Sequence, residues 1–381
     1  MKDLEFIGTE MSKNRARLDK IKICGFNIID ISDIDNLVSR GIVTINKEEC
    51  FNNVELASGK RVQSIIIKDD LLFGYMTYSM TKHLIRRATM EIFVDYSDMH
   101  NLLGFSVDDY KRKINMIQDK LLKEYHIIVD FSDATFSYIE INKTIELDYD
   151  FDQYGRAISM IMAILPNRLR LNNNAIWSKY VNSVSGAREI VNKTFFRSSG
   201  KRGMDVVIYD KSEDLRERCN ELVSPDKHYL RLELKLKSGG IIASALGTNL
   251  VNELNDEIIE NYFVYFIEDN IVGTYKKCEK KRLKYLEKQF MTFDGSPAKK
   301  AKELLGHILN DESVNSLSPL ILDTSDIFTV IDKVHKGKTT NIRQLRSRLK
   351  EAFKVEAESK KYNNYFNSKD KFDEIISKLL Y

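Results

Sequence analysis

The feature that most constrains this chain is the stretch Tyr229–Lys237 (YLRLELKLK), in which every second residue is leucine. Side chains alternate across a β-strand, so Leu230, Leu232, Leu234 and Leu236 point to one side and Arg231, Glu233, Lys235 and Lys237 to the other. A helix would scatter the leucines around its circumference. The spacing therefore predicts a strand with a core face and a charged face.

Two other stretches repeat this pattern. Ser137–Leu147 (SYIEINKTIEL) sets Ile139, Ile141, Ile145 and Leu147 against Glu140, Asn142, Thr144 and Glu146, and Asp205–Lys211 (DVVIYDK) aligns Tyr209 with Lys211 on one side. Ordered structure is expected to begin near Lys20, with a strand at Ile21–Ser32 after a polar arm at residues 1–20, and Thr89–Asp95 (TMEIFVD) reads as a short β-rich segment. Ser106, with Asp109 three residues on, opens a capping box, and Val107, Tyr110, Ile114, Ile117 and Leu121 share one face of the helix that follows. A second helix is expected over Phe151–Leu165, ending before Pro166. Strands interleaved with two helices predict an α+β domain at 21–245, its antiparallel sheet covered by helices on one face and open for chemistry on the other.

After Gly239 and Gly240 the pattern turns helical and basic: Asn252–Phe266, Lys276–Met291, Ser296–Leu309 and Asn341–Ala352 predict a second domain over 246–381. A length of 381 residues suits two cores. Lys and Arg number 59 against 56 Asp and Glu, so the net charge of +3 does not announce a nucleic-acid partner, and any such case depends on where charges sit. Cys24, Cys50, Cys219 and Cys278 lie far apart without a CxxC pair, which suggests reduced thiols and no zinc site. No run of 18 apolar residues occurs and the N-terminus is charged, so a cytoplasmic protein with no membrane partner is expected.

If the three alternating strands are neighbours, a phenol, two carboxylates, a lysine and an arginine converge on one face. Glu140 and Glu233 offer hard oxygen ligands to Mg²⁺ or Mn²⁺, which neutralises charge developing on a phosphate. A phenol with a pKa of about 10 is a poor nucleophile, and a cation such as Lys211 beside Tyr209 favours the phenolate or orients the phosphate. Arg231 is suited to bidentate phosphate contact. A solvated sheet face shows the same alternation, and spacing alone does not separate the two.

The ordered run SYIEINKTIEL, VVIYDKSEDL, YLRLELKLK resembles the replication initiators of filamentous phages and of related plasmids and integrative elements, within the tyrosine nickase superfamily. The upstream piece Met90–Gly104 (MEIFVDYSDMHNLLG), including His100 and Asn101, also looks like that family's strand and loop, so the likeness covers about residues 88–240. The resemblance implies Tyr209, Lys211 and Arg231 as catalytic residues, Glu140 and Glu233 as metal ligands, and Mg²⁺ or Mn²⁺ as cofactor. It implies rolling-circle initiation on a plasmid or phage: an endonuclease nicks one origin strand, holds the 5′ phosphate on tyrosine as a covalent protein–DNA linkage, and leaves a 3′-hydroxyl to prime synthesis. The partner implied is single-stranded or hairpin origin DNA, and recruitment of a host helicase and polymerase, or a homodimer, is compatible with it.

One departure stands out: the paired histidines that bind metal in many tyrosine nickases are absent, since all six histidines are isolated. Ligation then falls mainly to carboxylates, with His100 and His228 as candidates for a third ligand, and Glu213 and Asp214 both qualify as the acidic residue after Tyr-x-Lys. Arg197, Lys201 and Arg202, in the basic segment RSSGKR before the Tyr209 strand, together with Asn142, are the candidate DNA contacts. Lys276–Lys284 is a second basic cluster, His335–Lys350 has the look of a helix-turn-helix reader, and Trp177 is a candidate for stacking on an unpaired base. A relaxase or transposase would carry the same active site, and a non-catalytic DNA-binding regulator of a plasmid or phage would also carry charged strands.

Overall fold

A computed structural model of the chain describes residues 15–30, 34–41, 43–46, 63–69, 73–81, 84–93, 103–165, 180–182, 188–190, 194–198, 203–218, 226–310, 320, 322–335, 339–358 and 368–381. The fold is α+β, as the alternation predicts. In chain order the sheet strands are β1 (Arg17–Asp30), β2 (Val43–Asn46), β3 (Gln63–Asp69), β4 (Phe73–Thr81), β5 (Leu84–Phe93), β6 (Ile128–Asp130), β7 (Thr135–Leu147), β10 (Thr194–Ser198), β11 (Met204–Asp210) and β12 (His228–Leu236). They form one antiparallel sheet in the order β10-β11-β12-β7-β1-β5-β4-β3-β2, with β6 pairing one end of β1, while β8 (Tyr180–Asn182) and β9 (Arg188–Ile190) form a separate pair.

The three alternating stretches are therefore neighbours, with β1 completing the central four strands. Leu230, Leu232, Leu234 and Leu236 are fully buried beside Ile139 and Ile141. The capping box forms as expected: Ser106 accepts from the Asp109 N–H, Asp109 accepts from the Ser106 N–H, and the five apolar positions of helix α2 (Val107–Tyr125) are buried. Helix α1 is Ile34–Ser39. The Phe151–Leu165 segment begins as a 3-10 turn at Phe151–Tyr154 and continues as α3 (Gly155–Ile164).

Two boundaries differ from expectation. Order begins before Lys20, because β1 starts at Arg17, and its register against β7 shifts between Leu18 and Ile21. That irregularity puts Leu18 and Ile21, three apart, both into the core and leaves Asp19 outside strict alternation. Lys211 does not extend the strand of Tyr209; it opens helix α4 (Lys211–Arg218).

Helix α5 (Gly239–Leu246) is followed by one continuous helical run: α6 (Asp256–Phe266), a π-helical segment at Ile267–Val272, and α7 (Gly273–Thr292). Then come α8 (Pro297–Leu309), α9 (Asp326–Val334), α10 (Thr339–Glu358) and α11 (Ser368–Leu380). α6, α7, α8 and α10 occupy the four expected stretches, α5, α9 and α11 are additional, and the two cores do not divide at 245/246. Ile259, Phe263, Ile271, Tyr275 and Cys278, with Phe372 and Ile375 of α11, belong to the sheet's core. Leu286 and Phe290 of α7 join α8, α9 and α10 in the second core. Cys24 and Cys278 are free thiols. Among the described residues, no helix is long and apolar enough to cross a membrane.

Candidate metal centre

The polar side of β11, β12, β7 and β1 is drawn together by register. Tyr209 faces Arg231, Arg231 faces Thr144, Glu233 faces Asn142 and Lys235 faces Glu140. Tyr209 Oη donates to Glu233 Oε1 at 2.7 Å. Asp19, which pattern reading did not single out, completes a carboxylate triad with Glu140 and Glu233, one oxygen of each lying within 4.8 Å of the others.

The face is not a solvated one. Arg231 and Asn142 have no exposed surface, and Glu140 and Glu233 are buried. Burying several charges together is costly unless they are paired, and here most are. Arg231 Nε donates to Thr144 Oγ1 at 3.0 Å and Nη1 lies 3.4 Å from Asp19 Oδ2. Lys235 Nζ bridges Glu233 Oε2 at 2.9 Å and Glu140 Oε1 at 3.3 Å. Tyr138, also outside the sequence reading, donates its hydroxyl to Glu140 Oε1, and the Lys22 ammonium lies 5.9 Å from the centre of its ring. Asn142 is the exception: neither its Oδ1 nor its Nδ2 has a hydrogen-bond partner among the described residues. It fits only because residue 104 is glycine, since a Cβ there would come within 2.7 Å of Asn142 Nδ2 and 2.8 Å of the Leu18 carbonyl.

The electrostatics follow from burial and partners. Burial raises the Tyr209 phenol well above the usual tyrosine value, with Arg231 opposing and Glu233 reinforcing the rise. For Glu233 burial also acts upward, but Lys235 and Arg231 together outweigh it and hold the carboxyl below the ordinary range. Glu140 and Asp19 are pushed up, mainly by burial, with Lys235 and Arg231 respectively offsetting part of it. Burial and the neighbouring Arg231 depress the Lys211 ammonium to about 8.

The expected catalytic and metal residues, Tyr209, Lys211, Arg231, Glu140 and Glu233, thus meet on one face, with two changes of role. Lys211 reaches the phenol from a helix and not along the strand: its Nζ is 5.8 Å from the centre of the Tyr209 ring and 2.7 Å from Asp214 Oδ2. Asp214, and not Glu213, is therefore the acid that pairs with Lys211. Arg231 is held within the cluster, against Thr144 and Asp19, so it orients its neighbours and does not present an open fork for phosphate. His228 lies beside Asp150, Nε2 to Oδ1 3.0 Å, and is not in the triad. Arg197 lies on β10, whose backbone alone is described, while Lys201, Arg202, His100 and Trp177 lie outside the described residues.

Three carboxylate oxygens make a hard donor set, suited to Mg²⁺ or Mn²⁺ and not to softer metals, and the buried neutral amide of Asn142 belongs to the residue paired across the strands with Glu233. A phenol one hydrogen bond from such a set can be oriented toward a phosphorus atom held there. No protein-family model matches the chain, and no curated protein matches it.

Proposed function

We propose that this chain is a cytoplasmic replication initiator that nicks one strand of origin DNA by tyrosine transesterification with Mg²⁺ or Mn²⁺. The observation that carries the reading is the 2.7 Å hydrogen bond from Tyr209 to Glu233, a member of the carboxylate triad. Asp19, Glu140 and Glu233 would hold the metal, with the amide oxygen of Asn142 as a neutral donor. When bound, the metal neutralises charge that develops on the scissile phosphate.

Tyr209 is the nucleophile. Its proton passes to Glu233, Arg231 favours the phenolate, and the phenolic oxygen bonds to phosphorus as the P–O3′ bond breaks. The 5′ phosphate stays on Tyr209, and the 3′ oxygen takes up the proton that Glu233 received and leaves as a hydroxyl, ready to prime synthesis. Lys211, over the phenol ring, adds positive charge beside the reacting phosphate. Reversal, with a 3′-hydroxyl attacking the phosphotyrosine, rejoins a strand with the same count of bonds.

Incubating the full chain with Mn²⁺ and supercoiled DNA from its own replicon, then mapping covalent peptide–DNA adducts, tests this directly. The adduct is expected on Tyr209, and Tyr209→Phe is expected to lose nicking while still binding DNA. Nicking at the wild-type rate by Tyr209→Phe would remove the assignment.

A further inference from the structure

Lys235 occupies the middle of the carboxylate cluster. Its Nζ lies 2.9 Å from Glu233 Oε2 and 3.3 Å from Glu140 Oε1, and these residues supply two of the three carboxylates gathered within 4.8 Å. An ammonium and a divalent cation cannot share that position: they compete for the same oxygens and repel each other strongly at such distances in a buried site. Asn142, the cross-strand partner of Glu233, is fully buried with neither amide atom partnered among the described residues, so a neutral donor stands on the neighbouring strand position.

Lys235 is also built to leave. Its side chain is 23% exposed, against 0% for Arg231 and 2% for Lys211. A lysine carries its charge on a flexible four-carbon stem, whereas Arg231 is fixed in place by Thr144 and Asp19.

We infer that Lys235 is a built-in counter-ion that a divalent cation displaces, and that the ammonium so released binds the DNA phosphate brought to the centre. This rests on the metal reading above and adds a coupling to it. Arrival of the cation frees a positive group at the solvent-facing edge of the cluster, so cation and DNA strengthen each other's binding, and by linkage they do so equally. Lys235 positions phosphate and reserves the centre; it does not touch the bond that breaks.

The test uses the full-length chain and reads binding, not nicking. Mn²⁺ affinity is measured by the loss of the free-ion electron paramagnetic resonance signal, and affinity for a single-stranded oligonucleotide is measured with and without Mn²⁺. Lys235→Met keeps an unbranched apolar stem and removes the competing charge. It is expected to bind Mn²⁺ more tightly than wild type, by roughly 5–150-fold as typical couplings run, and to lose the gain in oligonucleotide affinity that Mn²⁺ brings. Lys235→Gln, a polar neutral variant, is expected to do the same, which guards against a packing fault peculiar to methionine. Metal-free Lys235→Met is expected to melt below wild type, with the gap closing in saturating Mn²⁺. Mn²⁺ affinity unchanged or weaker in both variants overturns the inference and leaves the metal centre standing. Failure of wild type and both variants to bind Mn²⁺ overturns the metal centre and the inference with it.

Discussion

Two of the places where the described residues bury charge are made differently. Where α7 meets α9, Arg282 and Asp326 are both buried and pair through two contacts, with the Tyr275 hydroxyl accepting from the same guanidinium. On the polar side of the sheet, three carboxylates share Arg231 and Lys235, and the cross-strand neighbour of Glu233, Asn142, has an amide without a partner among the described residues. The first arrangement is self-sufficient. The second carries a surplus of oxygen donors, and surplus donors fixed by neighbouring strands are what a cation site requires and what folding alone would not retain. Charge that closes on itself reads as architecture, and charge left over reads as chemistry.

Three experiments can break or sharpen that contrast. The largest effect is expected from Asp326→Ala, which strands Arg282 without a carboxylate; about 3–5 kcal/mol of stability should be lost in chemical denaturation. Mn²⁺ affinity of the folded protein should be untouched, and a parallel loss of Mn²⁺ affinity would abolish the distinction. Next comes Glu140→Gln. Burial raises its carboxyl above the ordinary value, so the charge is already held at a cost and a neutral amide should leave metal-free stability within about 1 kcal/mol of wild type. Mn²⁺ affinity, read by titration calorimetry, should fall at least ~10-fold.

The smallest effect is a pH dependence at Lys211. Its ammonium is depressed to about 8 from an ordinary value of 10.5, so charge beside the phenol disappears above pH 8. The folded chain then binds fewer protons than the unfolded chain between about pH 8 and 10.5, so this group makes stability rise with pH through that window. Nicking should move the opposite way and decline above about pH 8, with Lys211→Arg retaining its rate further into alkali. Stability and activity rising together across that range would refute the role given to Lys211.

Much of this was legible in the sequence, for an identifiable reason. The strands β7, β11 and β12 alternate almost without interruption, so the side on which Tyr209, Glu140, Glu233 and Arg231 stand could be read residue by residue. Asp19 could not be read that way, because the shift in β1 places Leu18 and Ile21 in the core at a spacing of three, which breaks the strand's period of two. Lys235 was visible only as one more outward charge, since alternation assigns a face but not a partner across it. Burial of the polar face was also hidden, because alternation looks the same whether the charged side meets water or protein. The helices after 246 were legible by period, but their division between two cores was not, because α7 presents Tyr275 and Cys278 to one core and Leu286 and Phe290 to the other within a single amphipathic stretch.

The uninterrupted run from α6 through the π segment to α7 has a mechanical consequence. At 1.5 Å of rise per residue it approaches on the order of 50 Å in length, with the π segment as the point where such a helix bends most readily. Its first half is seated against the sheet and its far end within the helical bundle, with the buried Asn270 tying the widened turn back to the Phe266 carbonyl. Because one rod carries side chains of both cores, no loop interrupts the chain between them along this segment, and the two halves are joined by a helix where a flexible tether would have let them slip.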